Sequence, residues 1–289
     1  MKTLLNWLHE RPIINLFIAI AYYLLVVLPH EAAGRIIARN LDDTLGRTAY
    51  NNLMLSLALL GLLAYAVILI KNVRKNKGTA GPVYGTFVVT LALAALSFPL
   101  LIVIHVEVVH FVQYGVMALL LFPLVRRYGE TACWCMLLGA ADEAWQHFYL
   151  APEKSMYFDF NDLIINLLGC GFGLAAIKAS RPGFVLPPRT PAWRSPFLLV
   201  LAVLAVMVGI AFMLGLLHYL PLDETAKRWA IIRAEQPGFW TTVHPNVTFH
   251  VVQPLEGMVI LAMLLLFYAG LDREISIFQK WWAAGAQRT

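Results

Sequence analysis

LMLSLALLGLLAYAVILI, Leu53–Ile70, decides the fold. It carries no charge and no proline. It is close to the about 20 apolar residues that a helix needs to cross a bilayer core. A soluble surface helix would show a polar stripe every three to four residues, and this run has none. A transmembrane helix is therefore predicted over it. Seven further runs meet the same length rule: Ile13–Leu28, Val83–Leu101, Val106–Val125, Thr131–Leu150, Phe160–Ile177, Pro196–Leu217 and Val251–Leu271. The runs at Val83 and Val106 nearly merge, and Pro99 marks the predicted break between them. Composition agrees, with 289 residues, 60% hydrophobic, 13% charged and a mean hydropathy of +0.69. The expectation is an all-α, polytopic integral membrane helix bundle of about eight transmembrane helices. The first run is longer than a signal-peptide core and no small-x-small site directly follows, so it is expected to stay as a span.

Lys and Arg orient the spans. Most of the 22 fall on one set of connections, including the short Lys71–Lys77 segment and the Arg126-Arg127 pair. Both termini are accordingly predicted cytoplasmic. The formal charge of +5 is a topology signal, not a nucleic-acid footprint, and Gly-rich phosphate loops and zinc-finger spacings are absent. On the outer side, Ile36, Ile37 and Leu41 fit a short interfacial helix, and Tyr219–His250 has room for another. At the inner end, Ile275, Ile277, Phe278, Trp281 and Trp282 resemble an interfacial anchor. Asn246-Val-Thr248 fits a glycosylation acceptor, a tripeptide common by chance. Cys133, Cys135 and Cys170 give no disulfide framework and read as small packing residues.

This orientation puts seven of the eight histidines outside: His30, His105, His110, His147, His218, His244 and His250, with His9 alone inside. Glu31, Glu107, Asp142, Glu143, Asp159 and Asp162 share the outer side. Helical spacing sorts them. Asp142 and Gln146 are i,i+4, as are Glu143 and His147. Asp162 and Asn166 are i,i+4, and Gly169-x-x-x-Gly173 continues their helix as a close-packing signature. Glu107 and His110 are i,i+3, and His110 and Tyr114 are i,i+4. Three adjacent spans thus each offer a polar stripe near the outer end. Asp142 lies roughly 10 Å below the end of its span, where a lone carboxylate costs about 2.5–3.5 kcal/mol. It must face a partner, a cavity or a substrate.

Two structural alternatives stand beside a functional site. Asp142, Glu143, Gln146 and Asn166 could form a satisfied network that locks the bundle. His218, His244 and His250 read better as interface residues, and His30-Glu31 as the cap of the first span. The His and carboxylate types suit a divalent zinc or manganese, with His105, Glu107 and His110 as metal candidates. Their spacing is not the two-His, i,i+4 zincin pattern.

His110-Phe111-Val-Gln113-Tyr114, Asp142-Glu143-Ala-Trp145-Gln146 and Asp162-Leu-Ile-Ile-Asn166-Leu-Leu-Gly169 resemble, in order and approximate spacing, the VanZ-like family of bacterial membrane proteins. The resemblance covers about residues 84 to 178. It differs in having Glu107 where many members have Lys before the motif His. Lys154 is also the only basic residue where many have Arg between the Gln and the Asp. The division expected is residues 1–82 with two spans, 83–180 as a VanZ-like four-helix core, and 181–289 with two more spans.

The resemblance implies a place in the bacterial cytoplasmic membrane, an envelope role and a link to glycopeptide (teicoplanin) resistance, without supplying a reaction. The residues themselves suggest an enzyme, a hydrolase or transferase for a lipid-linked or envelope substrate at the outer leaflet. Glu143 or Asp142 would be general acid or base, and His110 a second acid/base group or a ligand. Gln146, Asp162 and Asn166 would complete the catalytic set, with Tyr114, His147, Asp159 and Lys154 binding substrate. The alternative class is a non-enzymatic lipid- or drug-binding factor or a transporter. No internal repeat is seen, and the polar groups favour one leaflet over the midplane sites usual in transporters.

Overall fold

The computed structural model describes residues 1–29, 36, 44–76, 80–102, 105–146, 158–180, 183, 195–214, 239–244 and 247–272. Nine α-helices run through them: α1 (Lys2–Glu10), α2 (Pro12–Val27), α3 (Arg47–Lys75), α4 (Ala80–Leu101), α5 (Val109–Val125), α6 (Tyr128–Trp145), α7 (Phe160–Ser180), α8 (Pro196–Met213) and α9 (Pro254–Ala269). A 3-10 turn, His105–Val108, leads into α5, and another, Gly270–Asp272, follows α9. Five helical segments are long and apolar enough to cross a membrane: α3, α4, α5 with its leading turn, α7, and α9 with its trailing turn. A sixth is added if α1 and α2, bent by 110° at Arg11, count as one. The chain is thus a helix bundle of the multi-pass membrane type. Of the remaining predicted spans, α6 is diluted by Glu130, Asp142 and Glu143, and the apolar run of α8 is short, Pro196–Ala211.

The expected break near Pro99 is present. Pro99 lies inside the last turn of α4, which ends at Leu101 before a separate helix starts. α1 was not foreseen. Its apolar stretch is too short to register as a span, yet Leu5 and Leu8 are buried against the bundle. Pro12 starts α2 at a first-turn position, where its missing N–H costs nothing, and Arg11 turns the chain out of helical geometry. In the Tyr219–His250 connection, where an interfacial helix was expected, residues 219–238 lie outside the described residues. The described part is an antiparallel hairpin, β1 (Thr241–His244) with β2 (Val247–Phe249), Thr241 opposite Phe249. β-Branched and aromatic residues flank a Pro245-Asn246 turn sequence there, which favours strands over helix. The expected helix around Ile37 and Leu41 and the anchor at Ile275–Trp282 lie outside the described residues.

α7 is the axis of the bundle. It is buried along nearly its whole length and touches α3, α4, α5, α6 and α9. Glycines make this crowding possible. A Cβ on Gly169 would lie 2.8 Å from the Phe111 backbone, and one on Gly173 2.5 Å from the Gly115 carbonyl. The Gly169-x-x-x-Gly173 face therefore seats directly on α5, as its spacing predicts. Gly171 faces another way and makes room for the Tyr268 ring of α9. By contrast α2, α3 and α8 show large apolar side chains outward, such as Phe17, Leu63 and Met207, an exposed surface suited to lipid.

Polar side chains of outer helices donate to backbone carbonyls of the inner ones. Asn15 reaches Leu120 O (3.0 Å), Tyr22 reaches Gln113 O (3.0 Å), Tyr23 reaches Leu138 O (2.9 Å) and Tyr65 reaches Phe172 O (2.6 Å). In an apolar surround these bonds satisfy hydroxyls and amides that water cannot reach. At one end of the bundle, Asp272 accepts from the Tyr128 and Gly129 N–H groups (2.7 and 2.8 Å) and caps α6. His9 lies at that same end, beside Pro123 O at 3.1 Å.

Candidate functional site

The first turns of α5 and α7 and the last turn of α6 meet at the opposite end. His110 is buried there, and its Nδ1 is 2.8 Å from Asn166 Oδ1. An amide oxygen only accepts, so Nδ1 carries the hydrogen and donates. That fixes Nε2 as the nitrogen that exchanges a proton. Nε2 faces Asp162 Oδ2 at 3.9 Å, a charge contact longer than a hydrogen bond. Asp142 and Glu143 are both buried at the end of α6. The Gln146 amide spans them, donating to Asp142 Oδ1 at 3.1 Å and, more weakly, toward Glu143 Oε1 at 3.4 Å. Glu143 lies within charge–charge range of Asp162, Asp159 and Asp142, and His110 within range of Asp142 and Asp159.

Asp159 stands just before α7. Its carboxylate accepts the Asn161 N–H at 2.8 Å and so turns the chain into the helix. Burial, reinforced by the neighbouring Asp162 carboxylate, pushes its pKa up to about 7, against the opposing pull of backbone N–H groups and His110.

Eight of the ten residues expected to act on substrate are described. His110, Tyr114, Asp142, Glu143, Gln146, Asp159, Asp162 and Asn166 come together at this end of α5, α6 and α7. His147 and Lys154 lie outside the described residues, as do His30 and His218. The metal candidates do not converge. His105 Nδ1 lies 3.0 Å from Asn51 O and its ring leans on Phe98, while Glu107 sits on the 3-10 turn ahead of His110. Among the described residues no three His, Cys, Asp or Glu side chains are placed to hold a metal ion.

His250 does have a structural task. Its ring stacks on Phe239 at 3.9 Å, Nδ1 meets Phe239 O at 2.7 Å, and Nε2 meets both Glu256 oxygens at 3.0 Å. Glu256 also closes the capping box of α9 with Gln253. This pairing ties the hairpin to the start of α9.

Three contributors escaped sequence reasoning. Buried Asn161 holds Leu101 O (3.2 Å), His250 O (2.7 Å) and Val252 N (2.8 Å) together. It thereby fixes the start of α7 against the end of α4 and the chain entering α9. Tyr23 brings α2 within charge range of Asp142 and Glu143. Gly139, one turn before Asp142 and Glu143, has no side chain to fill the space beside Tyr114 and Asn166. A glycine at i−3 and i−4 from two carboxylates is a signal that sequence could have offered.

No protein-family model, no curated protein and no solved structure matches the chain.

Proposed function

We propose that the chain is a bacterial envelope protein of the VanZ-like type and an enzyme, a hydrolase or transferase for a lipid-linked or envelope substrate reached from the outer leaflet. The observation that carries the reading is the His110–Asn166 bond set among the carboxyls of Asp142, Glu143, Asp159 and Asp162. Ionisable side chains at membrane depth are functional sites by default. In this reading Glu143 takes a proton from the attacking water or hydroxyl, Asp142 and Gln146 hold it in place, and His110 passes a proton through Nε2 to the leaving group. Asn166 and Asp162 orient His110, while Tyr114 and Asp159 face the substrate.

The same reading makes α6 and α8 spans, giving eight in all with both termini cytoplasmic. The resemblance of the three motifs supports an envelope role that includes glycopeptide resistance.

The test compares the envelope lipids of cells making the wild-type protein with those making Glu143→Gln or His110→Ala. At matched protein levels, at least one lipid-linked species should change with the wild type and not with either variant. Equal profiles for all three, with all three folded, contradict the enzymatic reading and favour a lipid-binding factor.

A further inference from the structure

Two buried hydrogen-bond donors near the carboxyls have nothing to bond among the described residues. The Tyr114 hydroxyl and the Asn166 Nδ2 group are both shut away from solvent, and neither has a hydrogen-bond partner among the described residues. Tyr114 is 2% exposed and Asn166 0%. A buried donor left unmade costs about 1–3 kcal/mol, so two in one place call for an explanation. They border the same spot. A Cβ built on Gly139 would lie 3.3 Å from Asn166 Nδ2, 3.4 Å from Tyr114 Oη and 3.3 Å from Leu163 Cδ2. Both donors therefore border the space beside Gly139 that a side chain there would fill. Glycine keeps the space open, Leu163 walls one side, and Asn166 is held in orientation by His110 at its other amide atom.

We propose that Tyr114 Oη and Asn166 Nδ2 form a two-donor seat for a carbonyl oxygen, which makes the substrate a carboxylic ester or amide. The inference rests on the enzymatic reading above and names its substrate class. Charge decides between oxygens. Tyr114 lies within range of the Asp142 and Glu143 carboxyls, so a phosphate or free carboxylate brought to the seat meets like charge. A carbonyl oxygen is a neutral acceptor on arrival and develops charge only during reaction, where two fixed donors in an apolar wall act most strongly.

The step balances without any further reagent. Water attacks the carbonyl carbon and gives its proton to Glu143, which becomes neutral. The carbonyl π pair moves onto the oxygen, held by the Tyr114 O–H and an Asn166 N–H. Glu143 passes that proton by way of water to His110 Nε2. The tetrahedral adduct collapses, the bond from carbon to the ester oxygen or amide nitrogen breaks, and that leaving atom takes the proton from His110 Nε2. The products are an acid and an alcohol or amine.

A long-chain alkyl trifluoromethyl ketone, whose carbonyl hydrates readily, serves as the probe. Its binding to the purified full-length protein in detergent micelles is followed by fluorine NMR. Tyr114→Phe removes one donor at almost constant volume. Because that hydroxyl bonds to nothing among the described residues, the variant should unfold no earlier than the wild type, yet bind the probe about 100-fold more weakly, as for loss of one oxyanion donor. Gly139→Ala, which fills the seat, should also weaken binding. An alkyl phosphate of the same chain length should fail to displace the probe.

Equal binding by wild type, Tyr114→Phe and Gly139→Ala overturns the seat, as does no binding by the wild type. A Tyr114→Phe variant that unfolds earlier and binds normally means the seat holds a structural water only, and also overturns it. Glu143→Gln separates the two claims. It should keep probe binding while losing effect on envelope lipids. Envelope lipids left unchanged by the wild type as well as by Glu143→Gln, with probe binding lost in Tyr114→Phe, would sink the enzymatic reading and leave the seat standing.

Discussion

Asn161 is the residue on which the site's position depends most. Its side chain satisfies two carbonyls and one N–H from separate segments. Leu101 O is one of the final α4 carbonyls, which have no partner within their own helix. Asn161→Leu keeps the volume and strands all three groups, so it should cost about 2–5 kcal/mol, read as a lower denaturant midpoint. Asp159 gives a pH prediction. Folded, it holds its proton up to about 7; unfolded, it releases it near 3.8. Between those values the folded state binds more protons, so stability falls as pH rises through the window. The unfolding temperature should therefore be higher at pH 5 than at pH 8, with a smaller difference in Asp159→Asn. An unchanged difference would exclude Asp159 as its source. The polar motif residues were legible in the sequence because a carboxylate or amide in an apolar run stands out on its own. Asn161, Tyr23 and Gly139 were not. Their roles depend on which segment lies opposite, and one-dimensional spacing does not carry that.

Between elements, the α5–α7 contact is the tightest fit near the site. Gly173→Ala would press a methyl into the Gly115 carbonyl and the Ala118 side chain. Neither can yield without parting the helices that carry His110 and Asn166. Overpacking of this kind typically costs about 1–3 kcal/mol, and probe binding should weaken with it. Gly61→Ala and Gly209→Ala are the controls. A Cβ at either meets nothing within 4 Å, so each should leave stability within about 0.5 kcal/mol. If all three behaved alike, close packing would not be what places the site. The small-residue stripe was readable from spacing alone, and so were the long apolar helices. α1 and the hairpin were not, because both are short and their amphipathic patterns matter only once a bundle is there to cover them.

Across the molecule, five or six helices qualify as spans by length and hydropathy, and the eight-span reading adds α6 and α8. Under that reading Asp142 and Glu143 of α6, buried inside the bundle, lower its mean hydropathy without facing lipid. The eight-span topology predicts that a single cysteine at Asn76 is shielded from a membrane-impermeant maleimide applied outside intact cells, while one at Phe239 is labelled, with Cys133, Cys135 and Cys170 replaced by Ala. Labelling at Asn76 alone would invert the orientation and turn the site toward the cytoplasm. The histidines sort between the two ends of the bundle. Of those whose side chains are described, His105, His110 and His250 gather at one end and His9 at the other.

What matters most is whether the polar cluster of α5, α6 and α7 holds a substrate or merely locks three helices together. Native mass spectrometry of the purified protein, wild type beside Glu143→Gln, answers this most directly. The account predicts a retained adduct of lipid mass, more abundant in Glu143→Gln, where the substrate is bound but not turned over, and lost in Tyr114→Phe. No adduct in any of them, or a lipid adduct indifferent to both substitutions, would contradict it.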